Sequence, residues 1–466
     1  MTRVSTIDGG FLLTESHHSP KHVGSLMIFQ LPRGKGPAWL RALLHEMKQC
    51  PPGFPFNQRL KHRAGPFYEL EPDQHLDIDY HVRHTVLPRP GGDAQLREVV
   101  ARMHANLLDR DRPLWEFHLI EGLADRRFAL YFKVHHALGD GVTFRRWIDD
   151  STTTSPGDRT VRPIWSRDPE SPATDAGGLD LTQLVADAVQ TLGGGVRTAI
   201  GVSSIAAKML RRRFFDNDDH VALPLSAPRT SLNVTPGAAR TLAFTSYPLE
   251  DLRAVGKAQG ATINDVVMTM CDMALSHYLH EHGDHPRGSL VAYMPVNIRT
   301  EDDAGEGNLV TLLQVKLAST HRDPLSSLAE VRESIRSARE VFSGASKAAV
   351  QYYSLLVALL SQGEELLNLG RFLPPVNNVV ISNVPGSRVR RYLKGAEAAG
   401  IYPISTLPPM TALNVTCCSF AGTVYFGLVA GRTAVPDLPL LATYLDDAFQ
   451  HLAEATGVIG QNRKTA

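Results

Sequence analysis

The chain has 466 residues, of which 43% are hydrophobic, and this length allows about two or three ordinary domains with a large core. Its 48 basic and 48 acidic residues balance, so no overall charge favours nucleic acid as a partner. The four cysteines form no CxxC pair, and residues 1–5 lack the apolar core of a signal peptide. Because no run of about 18 apolar residues exists, we expect a cytoplasmic protein without a membrane span.

The first part of the chain, residues 1–150, has the pattern of a mixed α/β domain. Apolar side chains between Leu96 and Leu107 recur at helical spacing. The runs 114–120 and 128–134 are typical of strands, and the short polar segment between them predicts a hairpin.

Composition changes at residue 151. Residues 151–180 are rich in Ser, Thr, Pro, Asp and Gly, which is typical of a linker. Residues 181–215 predict a helix broken at Gly193–Gly195, with a cationic and aromatic end at Arg211–Phe215. Such a helix could lie on a membrane or lipid-droplet surface, although a crossover helix with a solvated basic end is the simpler alternative. We assign 151–234 to a linker and amphipathic helix.

A second mixed α/β domain is predicted for residues 235–460. Ile263 to Leu279 has helical periodicity. Strands are predicted at 289–296, 309–317, 378–384, 413–420 and 423–429. The fold class is therefore α/β (α+β), with two domains of related composition and a cleft between them that could hold a ligand.

The most informative motif is His135–Gly141, two histidines followed by Ala-Leu-Gly-Asp-Gly. Side chains alternate across a strand, so if the preceding strand persists, His136 shares its apolar face and His135 lies on the other face. Gly139 and Gly141 permit a tight turn. The spacing suggests that His136 is a general base held by this turn.

Proton removal from a hydroxyl by histidine requires concerted chemistry. An alcohol has a pKa near that of water, about 15.7, and histidine has one of about 6.5, so full prior deprotonation would cost roughly 12 kcal/mol. The base must therefore act as the hydroxyl attacks a carbonyl. Donors must also stabilise the resulting oxyanion, typically by about 3–4 kcal/mol each.

Two alternatives remain open for the histidine motif. A histidine at the end of a strand can be purely structural, as a cap. His136 and Asp140 could also bind a metal, although no third ligand is evident nearby. Asp140 itself could orient the loop through its backbone or through an arginine.

The motif HHxxxDG resembles the signature of CoA-dependent acyltransferases, which chloramphenicol acetyltransferases and peptide-synthetase condensation domains share. Pro113–Glu116 is similar to the PLW motif of the bacterial wax ester synthase/diacylglycerol acyltransferase family. Further segments resemble that family at Asp8–Leu12, His22–Gly24, Pro55–Leu60, Thr262–Val267, Pro295–Arg299, Gly307–Asn308 and Ser382–Gly386. The resemblance runs from about residue 5 to 450, and it implies two chloramphenicol-acetyltransferase-like domains. Gly139, Ser387 and Phe420 depart from residues that are common in the family.

The resemblance implies roles for individual residues. His136 would take the proton of an acceptor hydroxyl that attacks the thioester of a long-chain acyl-CoA, with His135, Asp140 and Gly141 as support. Asn264 would face His136 and help to hold the oxyanion, with helix capping by Thr262 or Asn264 as the alternative. Residues implied to bind substrate, with packing, turn or cap roles as alternatives, are Pro113, Leu114, Trp115, Asp265, Asn383, Pro385 and Gly386.

The implied activity is that of a long-chain-alcohol O-fatty-acyltransferase, a diacylglycerol O-acyltransferase, or both. The donor would be acyl-CoA, and no bound cofactor, metal or nucleic acid is expected. Basic residues that could meet CoA phosphates, or that could be ordinary surface charge, are Arg299, Arg388, Arg390, Arg391 and Lys394. The alternatives are a condensation-type acyltransferase with a carrier-bound donor and a lipid-binding protein with a vestigial site.

Overall fold

The computed structural model describes residues 2–3, 6–62, 68–139, 141–167, 194–297, 310–318, 323–367 and 369–458. The helices are α1 (Thr6–Thr14), α2 (Pro37–Lys48), α3 (Ile78–His81), α4 (Asp93–Ala105), α5 (Gly141–Asp150), α6 (Gly194–Phe214), α7 (Leu249–Ala258), α8 (Ile263–Glu281), α9 (Pro324–Phe342), α10 (Lys347–Leu366) and α11 (Leu438–Ala455). The strands are β1 (Thr2–Arg3), β2 (His22–Gln30), β3 (Gln58–His62), β4 (Tyr68–Pro72), β5 (Val82–Val86), β6 (Trp115–Leu123), β7 (Arg127–His135), β8 (Arg240–Pro248), β9 (Val291–Asn297), β10 (Val310–Lys316), β11 (Val379–Val384), β12 (Tyr392–Leu393), β13 (Ala396–Ile404), β14 (Leu413–Phe420) and β15 (Thr423–Gly431). Single 3-10 turns span His136–Leu138 and Leu369–Arg371.

A mixed six-stranded sheet carries the histidine motif, with strand order β12-β13-β2-β7-β6-β5. The predicted hairpin is confirmed, because β6 and β7 pair antiparallel with Trp115 opposite Val134. The predicted helix over 96–107 is α4, which ends at Ala105. Large apolar side chains that alternate along β6 and β7, among them Phe117 and Phe132, form the core on one face of this sheet.

The second six-stranded sheet has the order β10-β9-β11-β14-β15-β8. β11 pairs parallel with both β9 and β14, and the remaining pairs are antiparallel. All five strands predicted for the second half are present here as β9, β10, β11, β14 and β15. The predicted helix is α8, and its buried residues join those of α9 and α11 in one core cluster.

The second half of the chain contributes two strands to the first sheet, which the sequence analysis missed. β12 and β13 follow the second sheet's β11 in the chain, yet they belong to the first sheet, where Ile401 of β13 lies opposite Met27 of β2. The segment 396–404 contains three alanines, a glycine and a proline, residues that are depleted in strands. The predicted boundaries at 150 and 235 therefore divide the chain but do not separate the two sheets.

Helix α6 is the described end of the predicted helix 181–215, whose earlier part lies outside the described residues. Its Ile205 and Met209 are buried against residues of α10. The arginines at its end have carboxylate partners: Arg212 binds Asp218 and Glu340, and Arg213 binds Asp219. Within the part of the chain that the structure describes, no helix combines the length and apolar character needed to span a membrane.

Candidate functional site

The histidine pair lies where β7 ends and a 3-10 turn begins. His135 is the last residue of β7, and its side chain is fully buried. His136 starts the turn and is only partly buried. The parity prediction, which placed His136 on the buried apolar face and His135 on the other face, is wrong: His135 is the fully buried ring. Strand parity does not set the direction of His136, because the strand has already ended.

Aromatic rings and one backbone hydrogen bond hold His136. Phe11 of α1 stacks on its imidazole with ring centroids 4.4 Å apart, and Phe144 of α5 makes an edge contact with ring centroids 6.3 Å apart. The His136 N–H donates to the carbonyl oxygen of Lys21 at 2.8 Å. The ring is thus oriented by groups from α1, α5 and the segment before β2.

A buried carboxylate, Glu15, lies beside His135. The Oε1 atom of Glu15 is 3.4 Å from Nε2 of His135 and accepts the Lys21 N–H at 3.0 Å, while Oε2 accepts from Arg110 at 3.1 Å. Burial alone would raise the pKa of Glu15, but the hydrogen bond and electrostatic contact with His135, the Lys21 N–H and Arg110 lower it to about 2. The carboxylate is therefore ionised at neutral pH.

The loop after the turn leads into α5. Asp140 lies outside the described residues, so its predicted support role stays a prediction. Gly139 has φ 172°, an extended value that any residue can adopt. Its lack of a side chain matters for space instead, because a Cβ there would lie 3.0 Å from Thr143 and 3.3 Å from Trp147.

At the start of α8, Thr262 caps the helix, whereas Asn264 is the candidate site residue. Thr262 is the N-cap: its Oγ1 accepts from the Asp265 N–H, and the Asp265 carboxylate accepts from the Thr262 N–H at 2.7 Å. Of the two capping alternatives, Thr262 is therefore the cap and Asn264 is not. The contacts of Asp265 are those of a capping box, and its predicted contact with substrate stays a prediction.

Asn264 instead contacts a second candidate residue. Its Oδ1 accepts from Nδ2 of Asn383, near the end of β11, at 2.6 Å. This bond uses the acceptor of the Asn264 amide, so the group that Asn264 can offer to a ligand is its Nδ2 donor. The structure thus brings together two residues that lie 119 positions apart.

The two halves of the candidate site meet at Gly141. A Cβ on Gly141 would lie 3.4 Å from a methyl group of Val384, the neighbour of Asn383. Beyond it, Pro385 is exposed, whereas Gly386 lies so close to Ser419 that a Cβ would be 1.9 Å from the Ser419 carbonyl oxygen. Close packing therefore explains the glycine at 386, and ligand contacts by Pro385 and Gly386 stay predictions.

The Pro113–Trp115 segment supports the histidines from the neighbouring strand. Pro113 and Leu114 are buried, and the Leu114 carbonyl oxygen accepts the His135 N–H at 3.0 Å. The Trp115 side chain is fully buried, and its Nε1–H donates to the Phe56 carbonyl oxygen at 2.8 Å. These contacts correspond to the packing interpretation, and contact of this segment with substrate stays a prediction.

A small apolar cavity of about 20 Å³ lies on the face of the first sheet that carries Phe132. Ile148 of α5 lines it, together with Met27, Phe117 and Leu393. Phe144, which faces His136, is one helical turn from Ile148 on α5. One face of α5 therefore leads from the histidine to the cavity.

Most of the basic residues considered for CoA phosphates have acidic partners. Arg391 binds Asp149 of α5 at 3.0 Å, Arg390 binds Glu397, and Lys394 binds Glu46. Arg388 is exposed, and Arg299 lies outside the described residues. Among the described residues, no three His, Cys, Asp or Glu side chains are grouped so that they could hold a metal ion.

Glu15, Lys21 and Phe11 are the site residues that sequence reasoning missed. Phe11 lies within a segment that the family resemblance includes, and Lys21 precedes another such segment. No pattern around Glu15, however, indicates a partner 120 residues away. All three residues precede β2, which pairs with β7 and places His22 opposite His135, and no signal in the sequence indicated this pairing.

Two mixed sheets, the first built from strands of both halves of the chain, with an HHxxxDG turn where the halves meet, define an acyltransferase-type fold. Residues 4–267 match the family model of the wax ester synthase/diacylglycerol acyltransferase catalytic domain, and residues 306–453 match that of the WS/DGAT C-terminal domain. The chain belongs to this family and is an acyltransferase.

Named relatives and solved structures agree with this assignment. A Mycobacterium tuberculosis protein named diacylglycerol O-acyltransferase is 37% identical over 98% of this chain and 100% of its own length. The O-acyltransferase WSD of Acinetobacter baylyi is 32% identical over 97% and 96% of the two chains. The solved wax ester synthase/diacylglycerol acyltransferase of Marinobacter aquaeolei matches with a TM-score of 0.76 and 32% identity over 98% and 100%. A condensation domain solved with C8-CoA, 13% identical with a TM-score of 0.57 over 98% and 95%, shares the fold.

Proposed function

We propose that the protein transfers a long-chain acyl group from acyl-CoA to the hydroxyl of a fatty alcohol, a diacylglycerol, or both, with His136 as the general base. The observation that carries this proposal is the meeting of the two halves. The turn with His136 continues into Gly141, which packs on Val384, and the adjoining Asn383 binds Asn264. These contacts support a site in which a base and an amide donor from different halves serve one cleft.

In the proposed reaction, the acceptor hydroxyl attacks the thioester carbonyl carbon as His136 takes its proton. A new C–O bond forms, and the carbonyl oxygen becomes an oxyanion. When the tetrahedral intermediate collapses, the C–S bond breaks and the CoA sulfur leaves, taking the proton from His136. The Nδ2 donor of Asn264 is our candidate for the oxyanion contact.

The apolar cavity beside α5 is our candidate for the acyl chain. A chain that begins at His136 would follow the α5 face from Phe144 to Ile148, and the small cavity lined by Phe117 and Phe132 would have to widen to hold it. Burial of each CH₂ contributes about 0.8 kcal/mol, so a sixteen-carbon chain gains roughly 12 kcal/mol. This gain supports a long-chain donor over a short one.

The test supplies purified protein with palmitoyl-CoA and either hexadecanol or dioleoylglycerol, and follows thiol release and ester formation. We expect ester with at least one acceptor and a loss of turnover of about 10³-fold or more in His136→Ala, as for removal of a catalytic base. Full activity of His136→Ala, or activity only with a carrier-bound acyl group, would contradict the proposal. The ratio of the two rates measures acceptor preference.

We further propose that the protein acts in the cytoplasm and takes its acceptor from a lipid surface through α10. Residues 348–363 contain no charged side chain. Leu356 and Leu359 are 48% and 54% exposed, and Leu367 and Phe372 follow at 70% and 80%. An exposed apolar helix face suits the interfacial region of a bilayer, where the proposed acceptors dissolve.

The sequence suggested that the basic end of α6 contacts the lipid surface, whereas the surface proposed here is the apolar face of α10. The arginines at the end of α6 have acidic partners, so we expect apolar insertion to dominate over attraction to anionic lipid. In vesicle flotation, wild-type protein should float with neutral and with anionic vesicles. Leu356→Ser/Leu359→Ser should lose flotation, whereas Leu440→Ser, a change at a leucine of α11 that is 36% exposed, should not. Unchanged flotation of the double variant would contradict the proposal.

A further inference from the structure

The segment between α1 and β2 encloses the histidine pair from one side. Phe11 stacks on the His136 ring, Glu15 contacts His135, and the Lys21 carbonyl oxygen accepts the His136 N–H. The side chain of Glu15 is only 3% exposed. A buried carboxylate is costly unless it is fully paired, so its partners indicate what it does.

The hydrogen bonds of His135 determine which ring nitrogen carries its proton. Nδ1 accepts the N–H of Ala137 at 3.1 Å, within the turn that starts at His136. Nε2 is therefore the protonated nitrogen, and it lies 3.4 Å from Oε1 of Glu15. The nearby carboxylate favours a proton on Nε2 and so favours the tautomer that allows His135 to hold the turn.

The same oxygen of Glu15 also acts on His136. Oε1 accepts the Lys21 N–H at 3.0 Å, and the carbonyl oxygen of the same residue, Lys21, accepts the His136 N–H at 2.8 Å. Glu15 is therefore linked to the turn in two ways, through the His135 ring and through the backbone of Lys21.

Arg110 holds Glu15 itself in place. Its guanidinium donates to Oε2 of Glu15 and to the Leu12 carbonyl oxygen, which ties the carboxylate to the end of α1. Charge-assisted hydrogen bonds of this kind are strong and directional. The oxygen atoms of Glu15 are thereby fixed relative to α1, the helix that carries Phe11.

We propose that Glu15 is a positioning residue of the acyl-transfer reaction, which sets the angle of the His136 imidazole through His135 and Lys21 without touching substrate. The inference rests on the proposed role of His136 as the base. A catalytic group displaced by about 1 Å can lose about 100-fold in rate. A lost Glu15 should therefore lower kcat and leave the binding of acyl-CoA unchanged.

The test compares three changes at Glu15. Glu15→Ala removes both contacts and should lower kcat about 10- to 100-fold, with the KM for palmitoyl-CoA within about twofold. Glu15→Gln keeps an oxygen that can accept from His135 and Lys21, and should retain kcat within about threefold. Glu15→Asp keeps the charge but is shorter by one CH₂, so it should lose nearly as much as Glu15→Ala.

The matched control is Glu116 of β6. Its carboxylate is also buried and binds a cation, Lys133, at 3.0 Å, but it has no recorded contact with either histidine of the pair. Glu116→Gln and Glu116→Ala should lower the melting temperature and leave kcat within about twofold.

The outcomes separate this inference from the proposed function. If wild-type protein is active and His136→Ala is not, but Glu15→Ala keeps its kcat, the positioning role is refuted and the proposed function stands. Retention of kcat by Glu15→Asp with a loss in Glu15→Gln would also refute the positioning role. The charge of residue 15, and not the length of its side chain, would then determine kcat. If Glu15→Ala does not fold, the comparison of Gln with Asp still decides.

Discussion

Asn264→Ala tests whether the amide at the start of α8 serves the reaction or only the packing of the cleft. Among the residues that the structure describes, the side chain makes one hydrogen bond, from Asn383 at 2.6 Å, and it does not cap the helix. Loss of one such bond costs about 1 kcal/mol of folding free energy. Loss of a donor to an oxyanion costs about 2.7–4 kcal/mol of transition-state stabilisation, or about 10²–10³-fold in kcat.

The chain provides a matched control two residues earlier. Thr262→Ala removes the true cap of α8 and costs about 1 kcal/mol, so its effect on stability should equal that of Asn264→Ala. We expect equal decreases in melting temperature, but a loss of turnover only in Asn264→Ala. Asn264→Asp keeps an oxygen that can accept from Asn383 and lacks the Nδ2 donor, so it should lose turnover with little loss of stability.

The assay is thiol release at saturating palmitoyl-CoA and acceptor, run beside thermal unfolding of each variant. Equal turnover in Asn264→Ala and Thr262→Ala would refute the donor role and leave Asn264 as a contact between the halves. Near-normal turnover in Asn264→Asp would do the same, because the donor would then be dispensable.

Three further predictions concern stability. The pKa of Glu15 is lowered to about 2, so its ionised carboxylate stabilises the fold by about 3 kcal/mol at pH values above its unfolded-state pKa of about 4.5. This contribution is lost as the pH falls through 2. The free energy of unfolding of Glu15→Gln should therefore be lower than that of wild type at pH 6 and approach it by pH 2, measured by denaturant unfolding at each pH. Gly386→Ala would place a Cβ 1.9 Å from the Ser419 carbonyl oxygen and should cost at least about 1–3 kcal/mol, measured by denaturant unfolding, and an unchanged midpoint would contradict the close packing. Trp115→Phe leaves the Phe56 carbonyl oxygen without its donor. It should lower the free energy of unfolding by about 1–3 kcal/mol and keep turnover within about twofold. Reduced turnover with unchanged stability would instead support substrate contact by Trp115.

Local patterns in the sequence were sufficient for most of the elements near the site. The hairpin of β6 and β7 was predicted because apolar alternation and a short polar turn are properties of neighbouring residues. Helix α8 was predicted for the same reason, from periodicity over many turns. Strand β13 was missed because its alanines, glycine and proline give no strand signal of their own, and its stability comes from pairing with β2 far away in the chain.

In the candidate site, the sequence predicted the residue types but not their contacts. The histidine motif and the Asn264 and Asn383 segments are visible as short patterns, so their residue types could be read directly. Their relations could not: strand parity stops at His135 because β7 stops there, and Thr262, not Asn264, proved to be the cap. Glu15 was missed because its role depends entirely on a contact with His135, 120 positions later.

The sequence by itself determined the family, the presence of two α/β halves and the identity of the base that we propose, because each depends on residue types within short segments. The tertiary structure alone decided which strands of the second half join the first sheet, which carboxylate contacts His135 and which amide binds Asn264. The physical reason is that hydrogen bonds and packing act over a few ångströms of space, whereas their partners here are separated by more than a hundred residues of chain.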